Sequence, residues 1–267
     1  MSEERTRCDA ALAARGLAVS REKARALIEA GLVLVNGQAA AKPSQKVLPE
    51  DVLEVVGEVH PYVSRGGLKL EKALRVFDVD AAGRVCVDVG ASTGGFTDVL
   101  LRAGARRVYA IDVGEGQLDP RLRSDSRVVS MEHVNARTLD ASMFPETPTL
   151  AVMDVSFISI RLILPALFAL LGPNGRVVTL VKPQFEAGRQ DVGKRGIVSK
   201  PEVHLRVLRE IAAFPAQYGW RVQAMAASPI AGGDGNLEFL ADMLPAGKCD
   251  REVADGEIAK LAFGRET

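Results

Sequence analysis

Glycine is concentrated at one point where an apolar run gives way to a helical pattern: Val87-Asp88-Val89-Gly90-Ala91-Ser92-Thr93-Gly94-Gly95-Phe96. Such a turn lets the backbone approach a bound molecule. The unpaired N–H groups of the following helix then face its polar atoms. Asp112 closes the next apolar run about 20 residues later, where a carboxylate commonly binds ribose hydroxyls. Val113 and Asn135 would then be secondary contacts to the same ligand. A dinucleotide fingerprint needs Gly-x-Gly-x-x-Gly, and Ser92 occupies the second glycine position, which disfavours a nicotinamide-dependent oxidoreductase. Asp154 and Lys182 stand at the carboxyl ends of two further apolar runs. Ligands of open α/β sheets bind there, so a carboxylate and an amine are available for proton chemistry.

The elements that must position these residues alternate from Arg84 onward. Apolar runs at Val85–Val89, Val108–Ile111, Val128–Ser130, Leu150–Met153 and Val177–Val181 are separated by helical patterns. This order predicts an α/β fold, an open parallel sheet with helices on both faces. Two last runs, Trp220–Ala226 and Leu237–Leu240, predict an antiparallel pair at a sheet edge. A helix is expected over Leu68–Phe77. Residues 59–66 read as a linker broken by Pro61, and Pro183–Lys200 reads as a long loop.

Residues 1–58 form a separate pattern of helix, helix, strand, turn, strand. Helices are expected over Arg7–Arg15 and Arg21–Ala30, the latter capped by Ser20 and stopped by Gly31. Leu32–Val35 reads as a strand, Asn36-Gly37 as a hairpin turn, and Asp51–Val56 as a second extended stretch. Between Arg5 and Lys46 there are eight basic residues and three acidic ones, and such a stripe can track phosphates. In order and spacing, this module resembles the RNA-binding fold shared by small-subunit ribosomal protein S-four and pseudouridine synthases. The matching residues are Arg7-Cys8-Asp9, Ser20-Arg21, Ala24-Arg25, Ile28, Ala30-Gly31, Val33, Val35-Asn36-Gly37 and Asp51-Val52-Leu53.

The glycine segment matches the methyltransferase pattern Asp-x-Gly-x-x-x-Gly-Gly-Phe. It is joined by Val63-Ser64-Arg65-Gly66-Gly67-Leu68-Lys69-Leu70, Asp154-Val155-Ser156-Phe157-Ile158-Ser159, Val181-Lys182-Pro183-Gln184-Phe185-Glu186 and Gly235-Asn236-Leu237-Glu238. With these motifs, essentially the whole chain resembles the TlyA-type, or haemolysin-A-like, ribosomal RNA methyltransferases. The resemblance implies a class I, Rossmann-like methyltransferase domain over residues 67–267, with a mostly parallel seven-stranded sheet. It implies S-adenosylmethionine held by Asp88, Gly90, Ala91, Ser92, Thr93, Gly94, Gly95, Phe96, Asp112, Val113, Asn135 and Asp154. It implies a Lys-Asp-Lys-Glu set on Lys69, Asp154, Lys182 and Glu238, and RNA contacts from Arg5, Arg7, Arg21, Lys23, Arg25 and Arg65. The substrate implied is cytidine 2′-hydroxyl in the ribosomal RNA of assembled subunits. Where mycobacterial-type members carry Arg-x-Trp-Val in the linker, this chain has His60-Pro61-Tyr62-Val63.

A ribose hydroxyl must lose its proton as it attacks, and an amine accepts one only when neutral. Burial and a second ammonium favour that form, while neighbouring carboxylates oppose it. Lys182 is the expected base, Lys69 its cationic partner, and Asp154 and Glu238 the groups that position them. Phe157 and Phe185 are candidates either for stacking on the substrate base or for plain packing. No metal is expected. The net charge is zero, which argues against a protein that coats nucleic acid without specificity. No apolar run reaches the roughly 18 residues of a membrane span, and the first residues lack the apolar core of a secretory signal. The three scattered cysteines suggest neither a disulfide framework nor a zinc site. A cytoplasmic enzyme is therefore expected. A membrane-active haemolysin and a binding-only RNA module are the competing readings.

Overall fold

The structure, a computed structural model, describes residues 5–29, 31–56, 60–232 and 235–264. Ala30 and the expected boundary at residues 58 and 59 lie outside the described residues, as do residues 1–4, 57, 233–234 and 265–267. The chain divides into two compact units, Met1–Pro61 and Tyr62–Thr267.

The first unit runs β1 (Thr6–Arg7), α1 (Cys8–Ala14), α2 (Arg21–Glu29), β2 (Val33–Val35), β3 (Gln38–Ala39), β4 (Lys46–Val47) and β5 (Leu53–Val55). Strands β3, β2 and β5 form an antiparallel sheet, and β1 pairs with β4. Asn36 and Gly37 both take positive φ, 52° and 78°, as a two-residue hairpin turn requires. Leu12, Ala24, Ile28 and Val33 pack with Val47 and Leu53 into a small core. The two-residue strands β1, β3 and β4 left no readable alternation in the sequence.

The second unit continues with α3 (Gly66–Val76), β6 (Val85–Val89), α4 (Gly95–Arg102), β7 (Arg107–Ile111), α5 (Pro120–Arg123), β8 (Val128–Met131), β9 (Leu150–Met153), α6 (Leu164–Leu171), β10 (Arg176–Val181), α7 (Pro183–Glu186), α8 (Pro201–Ala213), β11 (Trp220–Ala227), β12 (Phe239–Pro245) and α9 (Asp255–Ala262). Its seven strands lie in the order β11-β12-β10-β9-β6-β7-β8. Strand β12 is antiparallel to both its neighbours, β11 and β10, and β10, β9, β6, β7 and β8 pair in parallel. Every residue of β6 and β9 is buried, which is why these strands read as unbroken apolar runs. Cores lie on both faces: Leu164, Leu167, Val207 and Ile211 on one, Leu70, Leu100, Val108 and Leu122 on the other. No helix among the described residues is long and apolar enough to cross a membrane.

Three expectations are redrawn. The stretch expected as a linker over residues 59–66 packs with the second unit from Tyr62 onward. The Tyr62 hydroxyl donates to Glu71 at 2.7 Å and the Val63 N–H to Asp98 at 3.0 Å. The stretch expected as a loop from Pro183 opens with one helical turn, α7, because proline's fixed φ suits a first helical position. The last strand begins at Phe239, not Leu237, and extends to Pro245. Asn236 and Glu238 are held by side-chain bonds that take the chain out of the ladder before that point.

One ion pair braces the far end of the sheet. Arg176 meets Asp242 through two bonds of 2.8 Å. The same guanidinium donates to the carbonyls of Phe77, at 2.5 Å, and Asp78, at 3.2 Å. It thereby satisfies acceptors that the end of α3 leaves open.

Candidate active site

Strand register brings most of the site together. Val89 pairs with Met153, so Gly90 and Asp154 leave adjacent strands side by side. Strands β9 and β10 are neighbours in the same direction, so Lys182 emerges next to Asp154. Val181 opposes Phe239 across the antiparallel pair, which sets Glu238 beside Lys182. Lys69, from the first turns of α3, completes the group.

The geometry is close. Lys182 Nζ lies 2.6 Å from Asp154 Oδ1 and donates to Ser156 Oγ at 3.1 Å. Lys69 Nζ donates to Glu238 Oε2 at 2.6 Å and stands 3.7 Å from Asp154 Oδ2. Asp154 thus bridges the two ammonium groups, one on each oxygen. Lys69, Lys182 and Glu238 are buried, where such pairs are screened much less than at the surface. The loop before Glu238 closes on it: a Cβ at Gly232 would stand 2.6 Å from Glu238 Oε1.

Two adjoining clefts meet here. One of about 350 Å³ is lined by Ser64, Arg65, Lys69, Asp154, Lys182 and Gly232, among others. The second, about 440 Å³, is more apolar and is lined by Ile111, Asp112, Val113, Asn135, Phe157 and Ile158, among others. Gly90, Ser92, Asp154 and Ser156 border both. Asp112 is oriented by two backbone donors: Oδ2 accepts from the Ser92 N–H of the glycine turn and Oδ1 from the Gly114 N–H, both at 2.8 Å.

The glycines divide their work. Gly90, at φ 79°, crosses so near the next strand end that a Cβ would lie 2.6 Å from the Asp154 carbonyl oxygen. Gly95 instead makes room for the Ser64 hydroxyl. Ala91, Thr93, Gly95 and Phe96 line the first cleft, whereas Gly94 packs under Leu118 and Leu122 and Asp88 borders neither cleft. Asp88 has no exposed surface, its Oδ2 accepts from the Thr97 hydroxyl at 2.7 Å, and burial pushes its carboxyl up to about 7.

A family model described as FtsJ-like methyltransferase matches residues 62–242. The chain belongs to this methyltransferase family. An S4 domain model matches residues 6–53. A Bacillus subtilis protein named as a candidate rRNA methyltransferase, YqxC, is 50% identical, over 98% of this chain and 94% of its own length. The 16S/23S rRNA (cytidine-2′-O)-methyltransferase TlyA of Mycobacterium tuberculosis is 45% identical, over 88% of each chain. A solved structure from Streptococcus thermophilus, described as a candidate hemolysin, is 44% identical and superposes with a TM-score of 0.77, over 99% of this chain and 96% of that one.

The expected RNA contacts of this FtsJ-like methyltransferase fall in two places. Arg65 lines the cleft beside Lys69. In the S4 domain, Arg7 grips Asp9 with bonds of 3.0 and 2.7 Å, and Arg21 reaches the same carboxylate at 3.5 Å. Arg7 holds Asp9 down to about 2, so the acid orients both guanidinium groups throughout the neutral range. Arg25 pairs with Glu29 at 2.7 Å, while Arg5 and Lys23 are exposed.

Residue patterns missed several neighbours. Ser156 sits inside a quoted motif, yet nothing marked it as the partner of Lys182. The loop through Ile230 and Ala231 lines the first cleft with residues that carry no chemical signature. Phe157 is 91% exposed at φ 64°, and its ring lies 5.2 Å from that of the half-buried Phe185.

Proposed function

We propose that this enzyme transfers a methyl group from S-adenosylmethionine to the 2′-hydroxyl of a cytidine in ribosomal RNA. Lys182 is the base, and the substrate is an assembled subunit in the cytoplasm. The single observation that carries the reading is the bridging of Lys69 and Lys182 by Asp154 beside the glycine turn.

The residues present fit the methyl donor. The Asp112 carboxylate suits ribose hydroxyls, and the apolar cleft beyond it suits a purine. The polar cleft with Gly90 and Ser92 on its border suits an amino-acid tail. When bound, S-adenosylmethionine supplies an electrophilic methyl group on a sulfonium.

The chain's own groups handle the proton. With Lys182 as the neutral amine, its Nζ would take the 2′-hydroxyl proton as the ribose oxygen bonds to the methyl group, whose bond to sulfur breaks to leave a neutral thioether. Lys69 is braced by two carboxylates, whereas Lys182 has one carboxylate and a hydroxyl. Lys69 therefore serves as the fixed cation that orients the 2′-oxygen or its neighbouring phosphate. Asp154 sets the spacing of the two amines, and Glu238 anchors the outer one. The exposed ring of Phe157 offers a stacking face to an unstacked base. Arg5, Arg7, Arg21, Lys23 and Arg25 of the S4 domain, with Arg65, supply cations for the phosphate backbone.

The test uses ribosomal subunits from a strain lacking this gene and labelled S-adenosylmethionine. Label should enter RNA at cytidine 2′-oxygens when wild-type protein is added. Absence of label, or label on a base, overturns the reading.

A further inference from the structure

The loop between α7 and α8 is used by nothing described so far. Within residues 189–200 it carries Arg189, Lys194, Arg195 and Lys200 against a single acid, Asp191. That acid is already engaged by Arg206 at 2.6 Å. Resting on the reading above, we propose that the turn Gly193–Ile197 is a docking arm for the RNA phosphate backbone, held beside the methyl-transfer site by Asn236.

The turn is closed by the Gly193 N–H donating to the Ile197 carbonyl at 2.9 Å and the Gly196 N–H to the Gly193 carbonyl at 2.8 Å. Lys194 and Arg195 stand exposed at its tip. Several surface arginines elsewhere are engaged by acids: Arg25 by Glu29, Arg121 by Asp119, Arg127 by Asp125, Arg209 by Asp255. No such pair reaches Lys194 or Arg195 among the described residues.

A free cationic loop would wander, and ordering it on a ligand costs entropy. This one is fixed from beneath. Asn236 is 2% exposed; its Oδ1 accepts from the Val198 N–H and its Nδ2 donates to the Gly196 carbonyl, both at 3.0 Å. The Asn236 carbonyl accepts from the Gly232 N–H at 2.9 Å, and Gly232 lines the cleft. Two residues on, Glu238 binds Lys69. One residue therefore ties the cationic tip to a segment that lines the cleft. With zero net charge over the chain, attraction to a polyanion must come from such local patches. The S4 domain match makes RNA the polyanion favoured over an acidic protein.

The full-length enzyme is assayed with subunits carrying unmodified ribosomal RNA. Wild type must label the RNA; if it does not, the functional reading fails, not the arm alone. Given labelling, Lys194→Ala/Arg195→Ala should raise the KM for RNA about tenfold and change kcat far less. It should also reduce the slope of log affinity against log salt by roughly one to two. S-adenosylmethionine affinity by calorimetry should stay at the wild-type value. Lys194→Glu/Arg195→Glu should deepen the KM effect. A double alanine variant with wild-type KM and salt slope overturns the arm, as does a loss confined to assays that include ribosomal proteins.

Discussion

Lys69 and Lys182 are both buried lysines, yet their partners differ, and so do the outcomes of removing them. Lys182→Ala should cut methyl transfer below about a tenth of wild type while leaving S-adenosylmethionine binding nearly intact. Paired methylation and calorimetry decide this, and appreciable residual turnover assigns the proton elsewhere. Gly90→Ala should lower cofactor affinity, because the added methyl meets the Asp154 carbonyl and the left-handed backbone penalises any side chain. Asp88 gives a pH signature. Burial raises its carboxyl from 3.8 to about 7, so the fold favours the protonated form. That contribution is complete below the unfolded value and is lost as pH rises through about 7. Asp88→Asn should therefore gain stability relative to wild type between pH 5 and pH 8 in denaturant unfolding. A difference that does not change with pH removes the argument. Asp154 and Lys182 were legible as chemistry because they end apolar runs. Lys69 was not, since its partner Glu238 lies 169 residues away and only the family motif named it.

Among the elements, α7 has a role that the long-loop expectation concealed. Its Glu186 is buried and reaches back to the segment after β9. It accepts from the Ser159 hydroxyl at 2.6 Å and the Ile160 N–H at 2.8 Å. Arg161 stands 3.3 Å from the same carboxylate. Burial nonetheless pushes the Glu186 carboxyl up. This clamp joins the two strand ends that carry Asp154 and Lys182. Glu186→Ala should destabilise the protein by roughly 1–3 kcal/mol, as buried donors lose their acceptor, and Glu186→Gln by less. Urea midpoints would rank the two, and equal stability of Ala and wild type discards the clamp. The parallel strands were readable because both faces are buried. The course of residues 235–238 was not, because it depends on side-chain bonds from Asn236 and Glu238 across the fold.

For the whole molecule, we propose that the division into two units carries a division of labour. Each unit has its own apolar core, and within the smaller one the segment Arg5–Lys46 carries eight basic residues against three acidic ones. Removing residues 1–58 should weaken RNA binding far more than S-adenosylmethionine binding. Fluorescence titration of each ligand measures the split, and unchanged RNA affinity refutes it. The separate character of the first 58 residues was legible from charge and from the Asn36-Gly37 turn. Attachment of Tyr62 to the larger unit was not, because it rests on a ring packed over Gly67.

The guanidinium of Arg176 has a reach that its address does not suggest. It begins the strand that Lys182 terminates, roughly 20 Å away at the rise of an extended chain. Yet it holds the tail of the helix whose head bears Lys69. An unbiased screen for inactive variants should therefore recover substitutions at a position with no view of the reaction, their defect arriving through a helix displaced from its opposite end.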